Sequence, residues 1–235
     1  PPYSDGARIH SDSWGAQQSI GRYTAHARDV DEFMWNHRHM LIVFSAGNSS
    51  ADYNFDGVSD TLKINPPSTA KNCLTVGASE SIRPAGSGGY SSRRYGSGDF
   101  EPYFPLNPIH DDLFSTSGDG FHHGMFAMSS RGPCADGRIK PEVVAPGTDI
   151  ISCRSSLADA DYFWSTVNSR YAFLGGTSMA TPLVAGSAAL VRQFLREQHA
   201  PVVSNPSAAL VKAMIVNGAC SLCPGQYGYG LGREI

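Results

Sequence analysis

Ser178 stands where nucleophilic chemistry is easiest to build. Gly175 and Gly176 precede it, and an apolar run that reads as a helix starts at it. Glycine lets a backbone turn sharply and leaves room for a second chain to approach. A helix start points free N–H groups and the positive end of a dipole at whatever lies before it. A serine so placed can attack a carbonyl carbon, and its own N–H can help hold the resulting oxyanion. Gly-Thr-Ser alone would be an ordinary helix N-cap. The full string Gly176-Thr177-Ser178-Met179-Ala180-Thr181-Pro182 is far more particular.

A second constellation is Asp52-Tyr53-Asn54-Phe55-Asp56-Gly57-Val58-Ser59-Asp60. It matches the first nine positions of a D-x-[DN]-x-[DN]-G calcium loop. The oxygens of Asp52, Asn54, Asp56 and Asp60, with Gly57 for the sharp turn, suit a hard cation that takes roughly six to eight oxygen ligands. Position twelve is Lys63, so a closing bidentate carboxylate would have to come from another segment. A structural calcium is the expectation, and a plain acidic turn is the alternative. His110, Asp111, Asp112, His122 and His123 fit no ligand spacing and read as a solvated loop. Arg93-Arg94 reads as exposed charge. Cys220 and Cys223 form a Cys-x-x-Cys pair, but no second pair would complete a zinc site, and Pro224-Gly225 replaces the strand–helix context of a redox motif. The cysteines number five, so they cannot all pair within the chain, and they read as scattered thiols with at most one local disulfide.

The elements that must position these residues follow from hydrophobic period and punctuation. Ala7 to Ser13 reads as a short strand ending at Trp14-Gly15. Thr24 to Arg38 has a helical pattern, with Val30, Phe33, Met34 and His37 on one side. Met40 to Ala46 is a continuous apolar run ending at Gly47-Asn48, as in a parallel strand buried on both faces. Cys73 to Ala78 is the next strand. Residues 80 to 128 show no sustained period, and Pro102, Pro105 and Pro108 break any element, so a long functional or partly disordered excursion is expected. Val143-Val144 and Ile150 to Ser152 are short strands around Ala145-Pro146-Gly147. Ser178 to Gln198 is the best helix, apolar nearly all round in its first half, as in a buried helix. Pro182 is expected close enough to its start to be tolerated. A last helix spans Pro206 to Asn217, with Asn205 as N-cap, Pro206 in the first position and Gly218 as the stop. Alternating strands and helices give an α/β fold, doubly wound, with a mostly parallel sheet and helices on both faces.

The whole chain bounds the answer. Its 235 residues suffice for one large domain with a substantial core. A net charge of -3 gives no sign of binding to nucleic acid or to an anionic membrane. No apolar run approaches the ~18 residues that span a bilayer. The chain opens on Pro1-Pro2 rather than Met, so a fragment or processed product is expected.

Gly-Thr-Ser-Met-Ala-Thr-Pro resembles the nucleophile motif of the subtilisin-like serine proteases. Ser13-Trp14-Gly15 resembles that family's substrate-binding strand, and Phe44-Ser45-Ala46-Gly47-Asn48 its oxyanion-hole segment. Ser129-Ser130-Arg131-Gly132-Pro133 and Lys140-Pro141-Glu142-Val143-Val144-Ala145-Pro146-Gly147 resemble the stretch ahead of the nucleophile. The likeness covers most of the chain outside 80 to 128. It implies peptide-bond hydrolysis through an acyl-enzyme on Ser178, with the Asn48 amide donating to the oxyanion. Ser13, Trp14, Gly15 and Gly47 would bind substrate, the strand by main-chain pairing with a protein or peptide. The resemblance also implies secretion and makes structural calcium ordinary.

One departure matters. In the family an Asp and then a His precede the oxyanion-hole Asn. Here almost nothing precedes that segment, no His-Gly-Thr-His stretch occurs, and the histidines at 10, 26, 37, 39, 110, 122, 123 and 199 lie in no base-bearing context. Residues 1–235 therefore read as an incomplete peptidase domain, its N-terminal part absent, with an insertion at about 80–128. A serine without a base is a weak nucleophile, so this chain alone is expected to be nearly inactive. Rival readings are a catalytically dead binding module of the same fold, a serine-carboxyl peptidase and an α/β-hydrolase. Gly47-Asn48 argues against the second, whose oxyanion residue is an acid. Ala180 argues against the third, which needs G-x-S-x-G.

Overall fold

Leu41–Ser45 and Leu74–Ser79 are buried at every residue. Such strands have no wet face, so they must lie inside a parallel sheet covered by other elements. In the computed structural model they are β2 and β3 of a six-stranded sheet. The structure describes residues 2–84, 86–115, 124–157, 163–198, 203–222 and 233–234. The sheet runs β1 (Ile9–Asp12), β2, β3, β4 (Val143–Pro146), β9 (Arg233–Glu234), β8 (Cys220–Ser221). All neighbours pair parallel except β8 with β9. A second, antiparallel sheet orders β5 (Ile150–Cys153), β7 (Tyr171–Leu174) and β6 (Ser165–Thr166). The expected α/β architecture with a mostly parallel sheet is the one observed.

Helix α2 (Thr177–Gln198) packs across β1 to β4 and against α3 (Ala208–Gly218). Its first half is not buried all round as expected: Thr177, Ala180, Thr181, Val184 and Ala188 face inward, but Leu183 is 45% exposed. Farther along, Leu195 is buried, while Leu190 and Phe194 are 67% and 50% exposed. Apolar residues stand on both sides of the helix, and the inward side is the one that packs on the sheet. Pro182 lies beyond the first turn, where its missing N–H leaves the Ser178 carbonyl without the usual helical donor.

The other helix ends show what period alone misses. Helix α1 (Ala25–Asn36) is capped by the Thr24 side chain, which accepts from the Ala27 N–H. It buries Ala27, Asp31 and Met34, while Phe33 is exposed. Asp31 goes inward because its carboxylate accepts from the N–H groups of Lys71 and Asn72 and from the Tyr23 hydroxyl. Helix α3 is capped by Ser207, whose hydroxyl accepts from the Leu210 N–H. The expected cap, Asn205, instead accepts from Arg192, and Pro206 lies outside the helix.

The described part of 80–128, expected as a functional or partly disordered excursion, contributes side chains to the core. Tyr95, Phe104 and Phe114 are fully buried, and Ile109 and Phe126 nearly so. They join the same core cluster as the central strands. Tyr95 stacks on Phe114 with ring centroids 4.4 Å apart, and Trp164 meets Phe114 edge-on at 5.4 Å. Aromatics at irregular spacing give no period, yet each removes a large apolar area from water. His122, His123, His199 and Cys223 lie outside the described residues. Cys73, Cys134, Cys153 and Cys220 are free thiols.

Candidate active site

Ligands of open parallel sheets gather outside the carboxyl ends of the strands. Here β1 runs out into Ser13-Trp14-Gly15 and β2 into Gly47-Asn48, and α2 begins at the same edge. Strand β7 delivers the chain to Gly175-Gly176. Gly176 has φ +139° and donates its N–H to the Gly147 carbonyl at 2.7 Å. A Cβ there would stand 3.0 Å from the Asn48 Nδ2, so glycine keeps the approach to that amide open.

Asn48 is exposed, but its carboxamide is fixed. Its Oδ1 accepts from the Thr177 N–H at 2.9 Å and from the Thr177 hydroxyl at 3.1 Å. The same hydroxyl accepts from the Gly47 N–H at 3.3 Å. With the oxygen engaged twice, Nδ2 is the group left to donate outward, and no described residue takes it. The helix start thus places a side-chain amide donor one residue from Ser178.

Ser178 is half-buried. Its hydroxyl donates to the Ser13 carbonyl at 3.4 Å, and the Ser13 hydroxyl donates to the Ser178 carbonyl at 3.0 Å. The Ser178 N–H lies in the first helical turn, where no helical acceptor exists. Trp14 is 55% exposed and meets Phe44 edge-on at 5.8 Å. Gly15 and Gly47 both lie against the buried Asn65, and a Cβ on Gly47, whose φ is +104°, would collide with the Asn65 Oδ1. The structure therefore brings Ser178, Asn48, Ser13, Gly15 and Gly47 into one neighbourhood. Two residues there were not singled out by sequence reasoning. Thr177 was legible, since it lies inside the nucleophile motif; Asn65 has no sequence signal.

No described histidine bonds to Ser178. His10 pairs with Asp12 at 2.7 Å on β1, His37 bonds the Phe33 carbonyl, His39 the Pro206 carbonyl and His110 Asp111. The acidic loop is a separate feature. The Asp52 carboxylate accepts from the N–H groups of Asp56 and Gly57, that of Asp56 from the Val58 N–H, and that of Asp60 from the Tyr53 N–H. Asn54 donates to Asp56 at 2.9 Å. These oxygens serve their own loop. Among the described residues no group of three or more His, Cys, Asp or Glu side chains could hold a metal ion; Asn54 and main-chain carbonyls, which also suit calcium, lie outside that set.

Ser178 thus stands at the start of a helix, at the carboxyl edge of a parallel sheet and beside a fixed amide donor. The chain belongs to the subtilase family, whose model matches residues 2–230. It is 30% identical over 274 residues to the serine protease/ABC transporter B family protein tagD of Dictyostelium discoideum, covering 93% of this chain and 14% of that protein. It is 40% identical over 112 residues to the serine protease AprX of Bacillus subtilis (strain 168), covering 46% and 25%. Among solved structures, the patellamide maturation protease PatA superposes with a TM-score of 0.57 at 18% identity, over 96% of this chain and 57% of that one. The prenylagaramide maturation protease PagA gives 0.55 at 19%, over 95% and 55%. The chain thus spans a small part of the curated relatives and somewhat over half of the solved chains.

Proposed function

We propose that this chain is the nucleophile-bearing part of a serine endopeptidase that cleaves protein or peptide substrates. The observation that carries the reading is the double engagement of the Asn48 Oδ1 by Thr177, which leaves Nδ2 as a fixed donor beside Ser178. Ser178 Oγ attacks the scissile carbonyl, and a histidine takes its proton and returns it to the leaving amine. An aspartate orients that histidine. Asn48 Nδ2 and the Ser178 N–H hold the oxyanion. Water then releases the acyl group. Ser13-Trp14-Gly15 presents main-chain groups to the substrate, as an edge strand does.

The histidine and aspartate are proposed to come from residues that precede Pro1 in the gene product, completing the peptidase domain. Two features support this. β1 is the end strand of the sheet, and no described residue pairs with its outer side. A groove of about 830 Å³ also lies beside it, lined by Arg8 and Ile9 and, from α2, by Ala189, Arg192, Arg196 and Glu197. The test is labelling of the full-length protein by a serine-directed fluorophosphonate. Labelling that Ser178→Ala abolishes supports the reading. Labelling that persists in Ser178→Ala assigns a different nucleophile, and a wild type that never labels favours a catalytically dead binding module.

Structural calcium at Asp52, Asn54, Asp56 and Asp60 is a separate proposal. Its support is the alternating oxygen pattern, against which stands the self-capped arrangement of the loop. Melting with and without a calcium chelator decides it: an unchanged melting temperature removes the ion. Secretion is proposed on the family likeness alone, and recovery of the protein only from washed cells would refute it. No described helix is long and apolar enough to cross a membrane.

A further inference from the structure

The two sides of the site, the substrate segment 13–16 and the oxyanion segment 46–49, come from different strands and need something between them. That something is one side chain. Asn65 is 4% exposed and wedged between Gly15 and Gly47. Its Nδ2 donates to the Ala16 carbonyl at 3.0 Å, and the following residue, Pro66, accepts from the Ala16 N–H at 2.7 Å. Its backbone N–H donates to the Ala46 carbonyl at 2.9 Å. Its Oδ1 accepts from the Ser49 hydroxyl at 2.9 Å and from the Ser130 hydroxyl at 3.2 Å. Ser130 closes the ring: its hydroxyl accepts from the Ser49 N–H at 3.0 Å, and its N–H donates to the Gly47 carbonyl at 2.8 Å.

Every polar atom of the Asn65 carboxamide thus reaches one side or the other. The donor end holds the substrate segment. The acceptor end holds Ser49 directly and reaches Gly47, the other neighbour of Asn48, through Ser130. Thr177 fixes Asn48 from the opposite side. A buried network satisfied at both ends is rigid, and removing one member leaves the rest unpaired.

We infer that Asn65 is a positioning residue that sets the distance between the substrate segment and the Asn48 oxyanion donor. This rests on the peptidase reading above. It acts through Ala16 on one side and through Ser49 and Gly47 on the other, and it does not touch the reacting atoms. Small displacements of such groups lower rates by up to about a hundredfold.

The test uses the full-length protein, wild type first, with a peptide substrate and fluorophosphonate labelling. A wild type that neither cleaves nor labels overturns the peptidase reading, and with it this role. In an active wild type, Asn65→Asp keeps the acceptor for Ser49 and Ser130 but turns an oxygen toward the Ala16 carbonyl. It should raise KM roughly tenfold with a smaller change in kcat. Ser49→Ala releases only the oxyanion side and should lower kcat and the labelling rate with KM nearly unchanged. Combined with Asn48→Ala, Ser49→Ala should cost little more, because the donor it positions is already gone. Asn65→Asp with wild-type KM, or a Ser49→Ala effect that simply adds to that of Asn48→Ala, would overturn the inference. If Asn65→Asp does not fold, the Ser49→Ala cycle decides alone.

Discussion

The Ser13 hydroxyl donates to the carbonyl of Ser178 at 3.0 Å. That carbonyl is the one a helix would give to the N–H of residue 182, and residue 182 is proline. The helix interruption and the substrate segment are therefore coupled: Pro182 leaves an acceptor unused, and Ser13 takes it. A hydrogen bond of this kind contributes about 1 kcal/mol. Ser13→Ala should lower kcat/KM of the full-length enzyme by roughly fivefold, and Ser13→Thr, which keeps the hydroxyl, should restore most of it. Steady-state kinetics on one peptide substrate checks both.

Thr177 makes the second link. Thr177→Val removes the hydroxyl that donates to the Asn48 Oδ1 and accepts from the Gly47 N–H, while the backbone bond to Asn48 survives. The amide then has one anchor instead of two. We expect kcat to fall about tenfold with KM unchanged, as for an interaction that matters only in the transition state. Asn48→Ala should be worse, on the order of 10²–10³ in kcat, the loss measured for the corresponding donor in subtilisin. Equal effects of the two substitutions would mean that Thr177, not Asn48, carries the stabilisation.

The parts of this site that were legible in the sequence are local ones. Ser178 is recognisable because its glycines and its helix are contiguous with it. Asn48 is recognisable because a fully buried strand ends in Gly-Asn. What escaped is long-range. Asn65 is an ordinary loop residue until Ala16, Ala46, Ser49 and Ser130 are brought around it. Asp31 is a charged residue on a buried helix face only because a loop forty residues on offers it two N–H groups. The aromatics at 95, 104, 114 and 126 form no period, since each enters the core from an irregular segment. The exposed side of α2 misled for the opposite reason: composition reports which faces are apolar, not which are buried.

At the other end of the sheet, Lys140 is almost fully buried and donates to Glu142 at 2.7 Å and to the Thr75 hydroxyl at 2.8 Å. Lys212 reaches the same Glu142 oxygen at 2.5 Å. Burial pushes the Glu142 carboxyl up, but the two ammonium groups outweigh it and hold it below its ordinary 4.5. Burial likewise pulls the Lys140 ammonium down, but negative charge on the ionised Cys73 sulfur and on Glu142 outweighs it and raises it above 10.5. Glu142 therefore contributes stability above about pH 4.5 that is lost as the pH falls through its depressed value. Lys140 contributes stability below about pH 10.5 that is lost as the pH rises through its raised value. Glu142→Gln should cost about 3–5 kcal/mol near neutrality, because it strands a buried ammonium. It should also flatten the acid limb. Urea unfolding between pH 3 and pH 8 reads both, and parallel acid limbs in wild type and variant would refute the assignment.

The exposed side of α2 carries the last prediction. Leu183 and Leu190 are 45% and 67% exposed, and two helical turns apart they fall on one face of α2. An exposed apolar face of this kind is what an interaction site looks like. If residues upstream of Pro1 cover it, the 235-residue chain alone should bind a hydrophobic dye and self-associate. Leu183→Glu with Leu190→Lys should relieve both. In the full-length protein the same pair would lie under the upstream segment. A buried leucine contributes roughly 1.5–3 kcal/mol, so the double substitution should lower the melting temperature and fluorophosphonate labelling together. Surface substitutions shift stability by no more than about 0.5 kcal/mol. A full-length double variant that melts and labels as wild type would show that this face meets water, and that the histidine and aspartate must reach Ser178 from another direction.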